Sequence, residues 1–323
     1  MRWLVPFLLM LAAPAQAFDL QGHRGARGLA PENTLAAFET ALRLGVTTLE
    51  LDLAMTADDV LVVSHDRRLN PDHTRGQDGN FLDRQGPAIR SLTLAELQRF
   101  DIGRLKPGSA YAVSLPEQRA VDGARIPALL ELFDLVKRLG ADHVRFNIET
   151  KITPTSGAET PDPETFAAAF ATAVRAAGLT ARVSIQSFDW RTLMALKRIA
   201  PEIERVCLTV EALTFDSIRR GEPGPSPWLA GLDIYDFGGS VPRLAAAAGC
   251  ATWSPLYRNA RPEDIASAKA LGLKVLPWTV NERADMERLI ALGVDGIITD
   301  YPDRLRAVMA EKNMPLPPQI PRR

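Results

Sequence analysis

The segments VRFNIET (Val144–Thr150), PETFAAAFATAVRAA (Pro163–Ala177), VSIQS (Val183–Ser187), WRTLMALKRI (Trp190–Ile199) and RVCLT (Arg205–Thr209) follow one another in the middle of the chain. The short runs are rich in Val, Ile, Phe and Thr and have strand length. The longer ones repeat apolar residues at helical spacing, as in Phe166, Phe170 and Val174. Strands alternating with helices argue for a parallel sheet.

The same rhythm extends outward on both sides. Downstream, Ala251–Ser254, Lys274–Thr279 and Gly296–Thr299 read as strands, with helices near 211–220 and 240–248 and at 262–271, 283–291 and 302–312. Upstream, a helix at Pro127–Leu139 precedes Val144. Asp19–Arg24 and Thr47–Met55 are strands, and the helix between them runs from Pro31 to a stop at Gly45. Val60–Val63 is one more strand. The connection Thr56–Asp59 is too short for a crossover, so this strand pairs antiparallel with Thr47–Met55. A turn centred between Ala57 and Asp58 sets Glu50 opposite His65. Leaving aside the outgoing arm of that hairpin, eight strands remain, which argues for a closed (β/α)8 TIM barrel rather than a doubly wound open sheet.

Residues 67–125 break the rhythm. They are polar and rich in Asp, Gly and Arg, with one short helix signalled by Thr93 and Glu96 three residues later. This segment is expected to be a small insertion after the hairpin, packed over one barrel mouth. The domain layout is then residues 1–17 as a leader, 18–312 as the barrel, and 313–323, with four prolines, as a disordered tail.

The leader reading rests on Arg2, the apolar run Leu4–Ala13 and the small-residue site Ala15-Gln16-Ala17, which predict a signal peptide cleaved after Ala17 and an exported, periplasmic or secreted protein. No later run approaches the length of a membrane span, so stable membrane insertion is not expected. The formal net charge is −1, without the basic excess that nucleic-acid binding requires. There is no C-x-x-C, Walker loop, G-x-G-x-x-G or G-x-S-x-G. Cys207 and Cys250 could pair in an oxidising compartment; a small buried apolar role for each is the simpler reading.

Functional groups of such a barrel lie at the C-terminal ends of its strands. That rule collects His23 and Arg24, Glu50 and Asp52, Asn147, Glu149 and Lys151, then Gln186 and Phe188, Trp278 and Asp300. It leaves His143, at the start of its strand, on the opposite face. Three carboxylates, Glu50, Asp52 and Glu149, with no thiolate suit a hard divalent cation, Ca²⁺ or Mg²⁺; singly, each could instead pair with Arg24 or Lys151. Arg24 and Lys151 suit phosphate oxygens. His23 and His65 suit acid and base roles, since imidazole titrates near working pH. Together they point to phosphodiester hydrolysis. Glu32 could support the site or start the first helix. Asp300, two before Pro302, reads as an N-cap, and Trp278 as a wall for the alcohol in preference to a core residue.

These motifs resemble one family, the glycerophosphodiester phosphodiesterases. The matching stretches are His23-Arg24-Gly25, Ala30-Pro31-Glu32-Asn33-Thr34, Glu50-x-Asp52, His65-Asp66, Ile126-Pro127 and Asn147-Ile148-Glu149-x-Lys151. Ser187-Phe188, Trp278-Thr279-Val280-Asn281 and Gly296-Ile297-Ile298-Thr299-Asp300 continue the match in collinear order. The resemblance implies a barrel with an insertion after the second histidine, and hydrolysis of a small-molecule glycerophosphodiester to sn-glycerol 3-phosphate and an alcohol. It implies His23 and His65 as acid/base pair, Glu50, Asp52 and Glu149 as ligands of Ca²⁺ or Mg²⁺, Arg24 and Lys151 on phosphate, and Phe188 and Trp278 beside the alcohol. A relative cleaving lysophospholipids or sphingolipids, and a catalytically silent binding protein on the same barrel, are the competing readings. Asp59 stands where the family's hairpin usually carries Gly.

Overall fold

The computed structural model describes residues 17–321 of the 323. The expected leader, residues 1–17, lies outside the described residues except for Ala17. Among the described residues no helix is long and apolar enough to cross a membrane.

Eight parallel strands form the barrel: β1 (Asp19–Gly22), β2 (Thr48–Met55), β4 (Arg145–Thr150), β5 (Val183–Ser187), β6 (Glu204–Thr209), β7 (Thr252–Pro255), β8 (Lys274–Val275) and β9 (Gly296–Thr299), with the hairpin arm β3 (Leu61–Val63) beside β2. Each barrel strand neighbours its successor, and β9 returns to β1 with Leu20 opposite Ile297. The remaining seam, β8 against β9, closes through Asp295 N to Val275 O and Ile298 N to Pro277 O, both 3.0 Å. The TIM-barrel expectation holds.

The outer ring comprises α1 (Leu35–Leu44), α2 (Leu129–Arg138), α3 (Pro163–Ala176), α4 (Trp190–Ile199), α5 (Val241–Ala248), α6 (Pro262–Ala270), α7 (Arg283–Ala291) and α8 (Pro302–Glu311). Their apolar stripes meet the strands. Phe166, Phe170 and Val174 of α3 and Leu193 and Leu196 of α4 are fully buried, as helical spacing requires. A second, smaller core of Ala54, Val62, Leu69, Ile89, Leu97, Ile102 and Ile126 joins the β2–β3 hairpin to the polar segment that follows it. Thr93 and Glu96 make the expected capping box.

Several boundaries differ from the sequence reading. Helix α1 begins at Leu35, because Thr34 is its N-cap and Asn33 takes a left-handed φ of 55°. The hairpin pairs Leu53 with Val63 and Met55 with Leu61, one residue out of step with a symmetric turn. Thr56 N bonds Val60 O at 3.0 Å around a three-residue loop ending on Asp59 at φ 60°, the usual form of a three-residue hairpin. Glu50 is therefore not opposite His65, which lies beyond the end of β3. In place of a helix at 211–220 there is a small hairpin, Glu211–Ala212 with Phe215–Asp216. The proline-rich tail, as far as residue 321, packs against α1: Ile320 is 8% exposed, its N–H reaches Leu42 O, and Arg306 Nη1 donates to Pro317 O at 2.7 Å. Prolines rule out a helix but leave free carbonyls to accept such bonds. Cys207 and Cys250 form a disulfide with Cα atoms 5.9 Å apart, where the sequence reading favoured two separate buried residues.

Candidate active site

The barrel register assembles the carboxylates. On β2 and β4, Glu50 pairs with Asn147 and Asp52 with Glu149, and Glu149 in turn pairs with Gln186 on β5. Paired residues of parallel strands share a face, so these side chains converge inside the barrel while Leu49, Leu51 and Leu53 face the helices. One oxygen from each of Glu50, Asp52 and Glu149 lies within 4.8 Å of the others. Below them a polar layer holds the arrangement: Gln186 Nε2 donates to Glu50 Oε1 at 2.7 Å, and Asn147 Nδ2 donates to Gln186 Oε1 at 2.8 Å and Gln21 Oε1 at 3.0 Å.

The loop after β1 supplies donors from the other side. Arg24 sits at φ 49°, a costly conformation for a residue with a Cβ. It turns the Arg24 N–H onto Glu50 Oε2 at 2.8 Å. A Cβ on the next residue, Gly25, would meet the Ala37 carbonyl carbon at 2.6 Å, so the loop packs this tightly on α1 only with glycine there. The Arg24 guanidinium spans Glu32, at 2.8 Å, and Asp52, at 3.2 Å. Asn33 Nδ2 donates to Asp52 Oδ2 at 2.9 Å. Just after β4, Lys151 Nζ donates to Glu149 Oε1 at 2.8 Å and lies 3.7 Å from Asp52.

The ion pairs that could explain single carboxylates are thus made for Asp52 and Glu149. Among the described residues Glu50 has only His23 Nε2, at 3.9 Å. Burial and the Asp52 charge raise the Glu50 pKa well above the usual carboxylate range. Burial raises Glu149 to about 7 even with Lys151 beside it. Burial would raise Asp52 too, but Arg24, His65 and Lys151 outweigh it and hold that carboxyl low. Two cations therefore leave three clustered carboxylates under-compensated, and an all-oxygen set of this kind fits a hard divalent ion.

Each histidine is held through Nδ1. His23 Nδ1 meets Asp300 Oδ1 at 2.6 Å, and His65 Nδ1 meets Asp66 Oδ1 at 2.8 Å. Burial is the main influence on both rings. It lowers His23 against the pull of Asp300, and with Arg24 and Lys151 it takes His65 down to about 4. With Nδ1–H directed at carboxylates, Nε2 is the free nitrogen of each ring. His23, Arg24, Glu50, His65, Glu149, Lys151, Phe188 and Trp278 line one cavity of about 240 Å³. His143 is exposed, ahead of β4 on the other face.

Some participants were left open, misassigned or missed by the sequence reading. Asp300 is not a helix cap: Tyr301 occupies the N-cap of α8, while the Asp300 carboxylate is fully buried and accepts from His23, Arg27 and Asn281. Its place at a strand's C-terminal end was the available signal. Glu32 is site support, bound to Arg24 and to the Tyr111 hydroxyl. Tyr111 and His73, which lies 3.5 Å from Asp66, come from the polar insertion, where no periodicity marks them.

A glycerophosphodiester phosphodiesterase from Caldanaerobacter subterraneus subsp. tengcongensis is 32% identical over 285 residues, 88% of this chain and 94% of its own. The crystal structure of a protein from Silicibacter pomeroyi DSS-3 matches at a TM-score of 0.81 and 34% identity, covering 94% of this chain and 96% of that one. An Oleispira antarctica phosphodiesterase, solved with the product sn-glycerol-3-phosphate, shares the fold at a TM-score of 0.64 and 24% identity over 90% of this chain and 96% of its own. The family model for glycerophosphoryl diester phosphodiesterases matches residues 23–304, and the chain belongs to that family.

Proposed function

We propose that this protein hydrolyses glycerophosphodiesters to sn-glycerol 3-phosphate and an alcohol, with His23 and His65 as the acid/base pair and Glu50, Asp52 and Glu149 holding Ca²⁺ or Mg²⁺. The observation that carries the reading is one cavity lined by two carboxylate-held histidines and by Glu50 and Glu149, with Asp52 clustered beside those two carboxylates. The relative from Caldanaerobacter bears the name of this activity.

A phosphodiester resists hydrolysis because a nucleophile must approach an anion and an alkoxide must leave. When bound, the divalent ion supplies positive charge to the phosphate oxygens. Lys151 and Arg24 add fixed positive charge beside it, and neither needs to reorganise during the reaction. One imidazole Nε2 takes the proton of the attacking hydroxyl; the other gives a proton to the departing alkoxide. Asp300 and Asp66 keep the Nδ1–H bonds in place, so both rings present the same nitrogen throughout.

The proposal includes export. Cleavage after Ala17 leaves β1, which starts at Asp19, intact, and the Cys207–Cys250 bond suits an oxidising compartment. A mature N-terminus at Phe18 in the exported fraction supports this; an intact leader on cytoplasmic protein contradicts it.

The activity is tested by assaying sn-glycerol 3-phosphate release with EDTA and with Ca²⁺ or Mg²⁺ restored. Chelation abolishes turnover and the metal restores it, while His23→Ala and His65→Ala each abolish it in folded protein. Full turnover in EDTA would remove the ion from the reading, and full turnover in either variant would remove that histidine.

A further inference from the structure

A second cavity, of about 590 Å³, adjoins the candidate catalytic one and shares His65, Glu149, Lys151, Phe188 and Trp278 with it. Its two sides differ in chemistry. One is a continuous aromatic wall. Trp278 packs edge-on against Phe188 at 5.2 Å, Phe188 against Phe215 at 5.2 Å, and Phe215 against Trp228 at 4.9 Å. The first two rings follow barrel strands. The last two come from the small hairpin after β6 and from the irregular segment preceding α5.

The rest of the lining is largely polar and carries Asp66, Arg67, Arg68, Thr153 and Glu159. Arg68 is held in place by two good hydrogen bonds, Nε on Gly86 O at 3.1 Å and Nη1 on Glu159 Oε1 at 2.9 Å. Arg67 is not: its nearest partners are Thr153 Oγ1 at 3.4 Å and Glu159 Oε2 at 3.7 Å, both long. Its guanidinium fork keeps N–H donors for a ligand, and Thr153 and Glu159 offer acceptors beside it.

We propose that this cavity receives the leaving alcohol and selects a polyhydroxylated ring, a cyclitol or hexose, over a quaternary ammonium alcohol. The inference rests on the phosphodiesterase reading above and deepens it. A cyclitol has a C–H face that lies on an aromatic wall and hydroxyls that need both donors and acceptors, which is the pairing these two sides present. The aromatic wall alone would also suit a quaternary ammonium through cation–π attraction. The charges decide between the two. Lys151 Nζ already stands 5.9 Å from the Phe188 ring centre, and each carboxylate of the lining is taken: Asp66 by His65 and Asn70, Glu149 by Lys151, and Glu159 by both Arg67 and Arg68. A cationic alcohol would enter beside Arg67, Arg68 and Lys151 and find no unpaired carboxylate in the lining to offset their repulsion.

The test compares kcat/KM for glycerophosphoinositol and glycerophosphocholine in the metal-supplied, disulfide-intact protein and in Trp228→Ala and Arg67→Gln. The wild type favours the inositol ester by roughly tenfold or more, the discrimination expected of one or two well-made hydrogen bonds. Each variant shrinks that ratio, Trp228→Ala by removing a stacking face and Arg67→Gln by removing the donor fork. The Arg67 side chain is 32% exposed, so its replacement keeps the test available if Trp228→Ala does not fold. A wild-type ratio near one or in favour of the choline ester, or a ratio unmoved in every folded variant, overturns the assignment. Absence of turnover on both esters would instead defeat the phosphodiesterase reading on which it rests.

Discussion

Asp300 Oδ1 lies 2.6 Å from His23 Nδ1, and the carboxylate that makes this contact is wholly buried. It also accepts from Arg27 Nη2 at 3.0 Å and Asn281 Nδ2 at 2.7 Å, which fix its plane. An imidazole whose Nδ1–H is so held offers Nε2 to the reaction and is stabilised when it takes a proton. Asp300→Asn keeps the volume but loses the charge. It is expected to lower kcat by roughly 10²-fold or more. Asp300 raises the His23 pKa, so its loss moves the His23 limb of the pH–rate profile to lower pH. A variant with wild-type kcat and an unmoved profile would show that Asp300 serves only the fold.

Glu32 provides a stability signal that catalysis does not enter. Burial alone would raise its pKa, but Arg24 and Arg27 outweigh burial and bring it down to about 2 from an ordinary 4.5. A depressed folded-state pKa means stability that is present above the unfolded value and is lost as pH falls through the folded one. The window is therefore about pH 4.5 down to about pH 2, and the contribution is on the order of 3 kcal/mol. Glu32→Gln is expected to be less stable at pH 7 and to lose less on acidification across that window. Denaturant unfolding of both proteins at several pH values measures the difference; parallel acid limbs would contradict it.

What was legible in the sequence was local or periodic. The alternation after Ile126 dictates the barrel, and the rule placing function at strand C-termini finds His23, Glu50, Asp52, Glu149 and Lys151 because each lies within or just after a strand that the sequence marks. The failures share a cause, which is that the deciding interaction is distant in sequence or hidden in a turn. Asp300 reads as a cap because Pro302 follows it, and only folding brings it to a histidine 277 positions earlier. The hairpin slips by one residue because Asp59 adopts a left-handed φ that a count of turn residues does not reveal. Tyr111 and His73 sit in a polar insertion with no period to read. Helix-like composition at 211–220 yields to a hairpin that sets Phe215 between Phe188 and Trp228.

Asn33 links backbone conformation to the proposed metal site. It holds φ 55° and donates Nδ2 to Asp52 Oδ2 at 2.9 Å. Partners that orient metal ligands typically contribute 10–100-fold to affinity. Both Asn33→Gly and Asn33→Ala remove the donor, and each is expected to weaken Ca²⁺ or Mg²⁺ binding by roughly that factor in a calorimetric titration. Only the alanine variant places a Cβ in a left-handed conformation, so it alone is expected to lose a further 1 kcal/mol or so of stability. Equal metal affinity in the wild type and the glycine variant would mean that Asn33 matters to the backbone and not to Asp52.

The Cys207–Cys250 bond closes a loop of 43 residues between β6 and the approach to β7. On the chain-entropy account a loop of that length is worth about 4 kcal/mol, with native strain able to reduce it. Both sulfurs belong to buried residues at 0% and 7% exposure, so a reductant reaches the bond only through local opening or unfolding. The oxidised protein is therefore expected to resist dithiothreitol under native conditions and to lose stability sharply once reduced in denaturant. Cys207→Ala/Cys250→Ala should unfold at a lower denaturant midpoint than the oxidised wild type. Its kcat should change little, because neither residue lines either cavity at the barrel mouth. If the midpoints coincide, the bond contributes nothing to the fold, and the sequence-based view of two small buried side chains is sufficient.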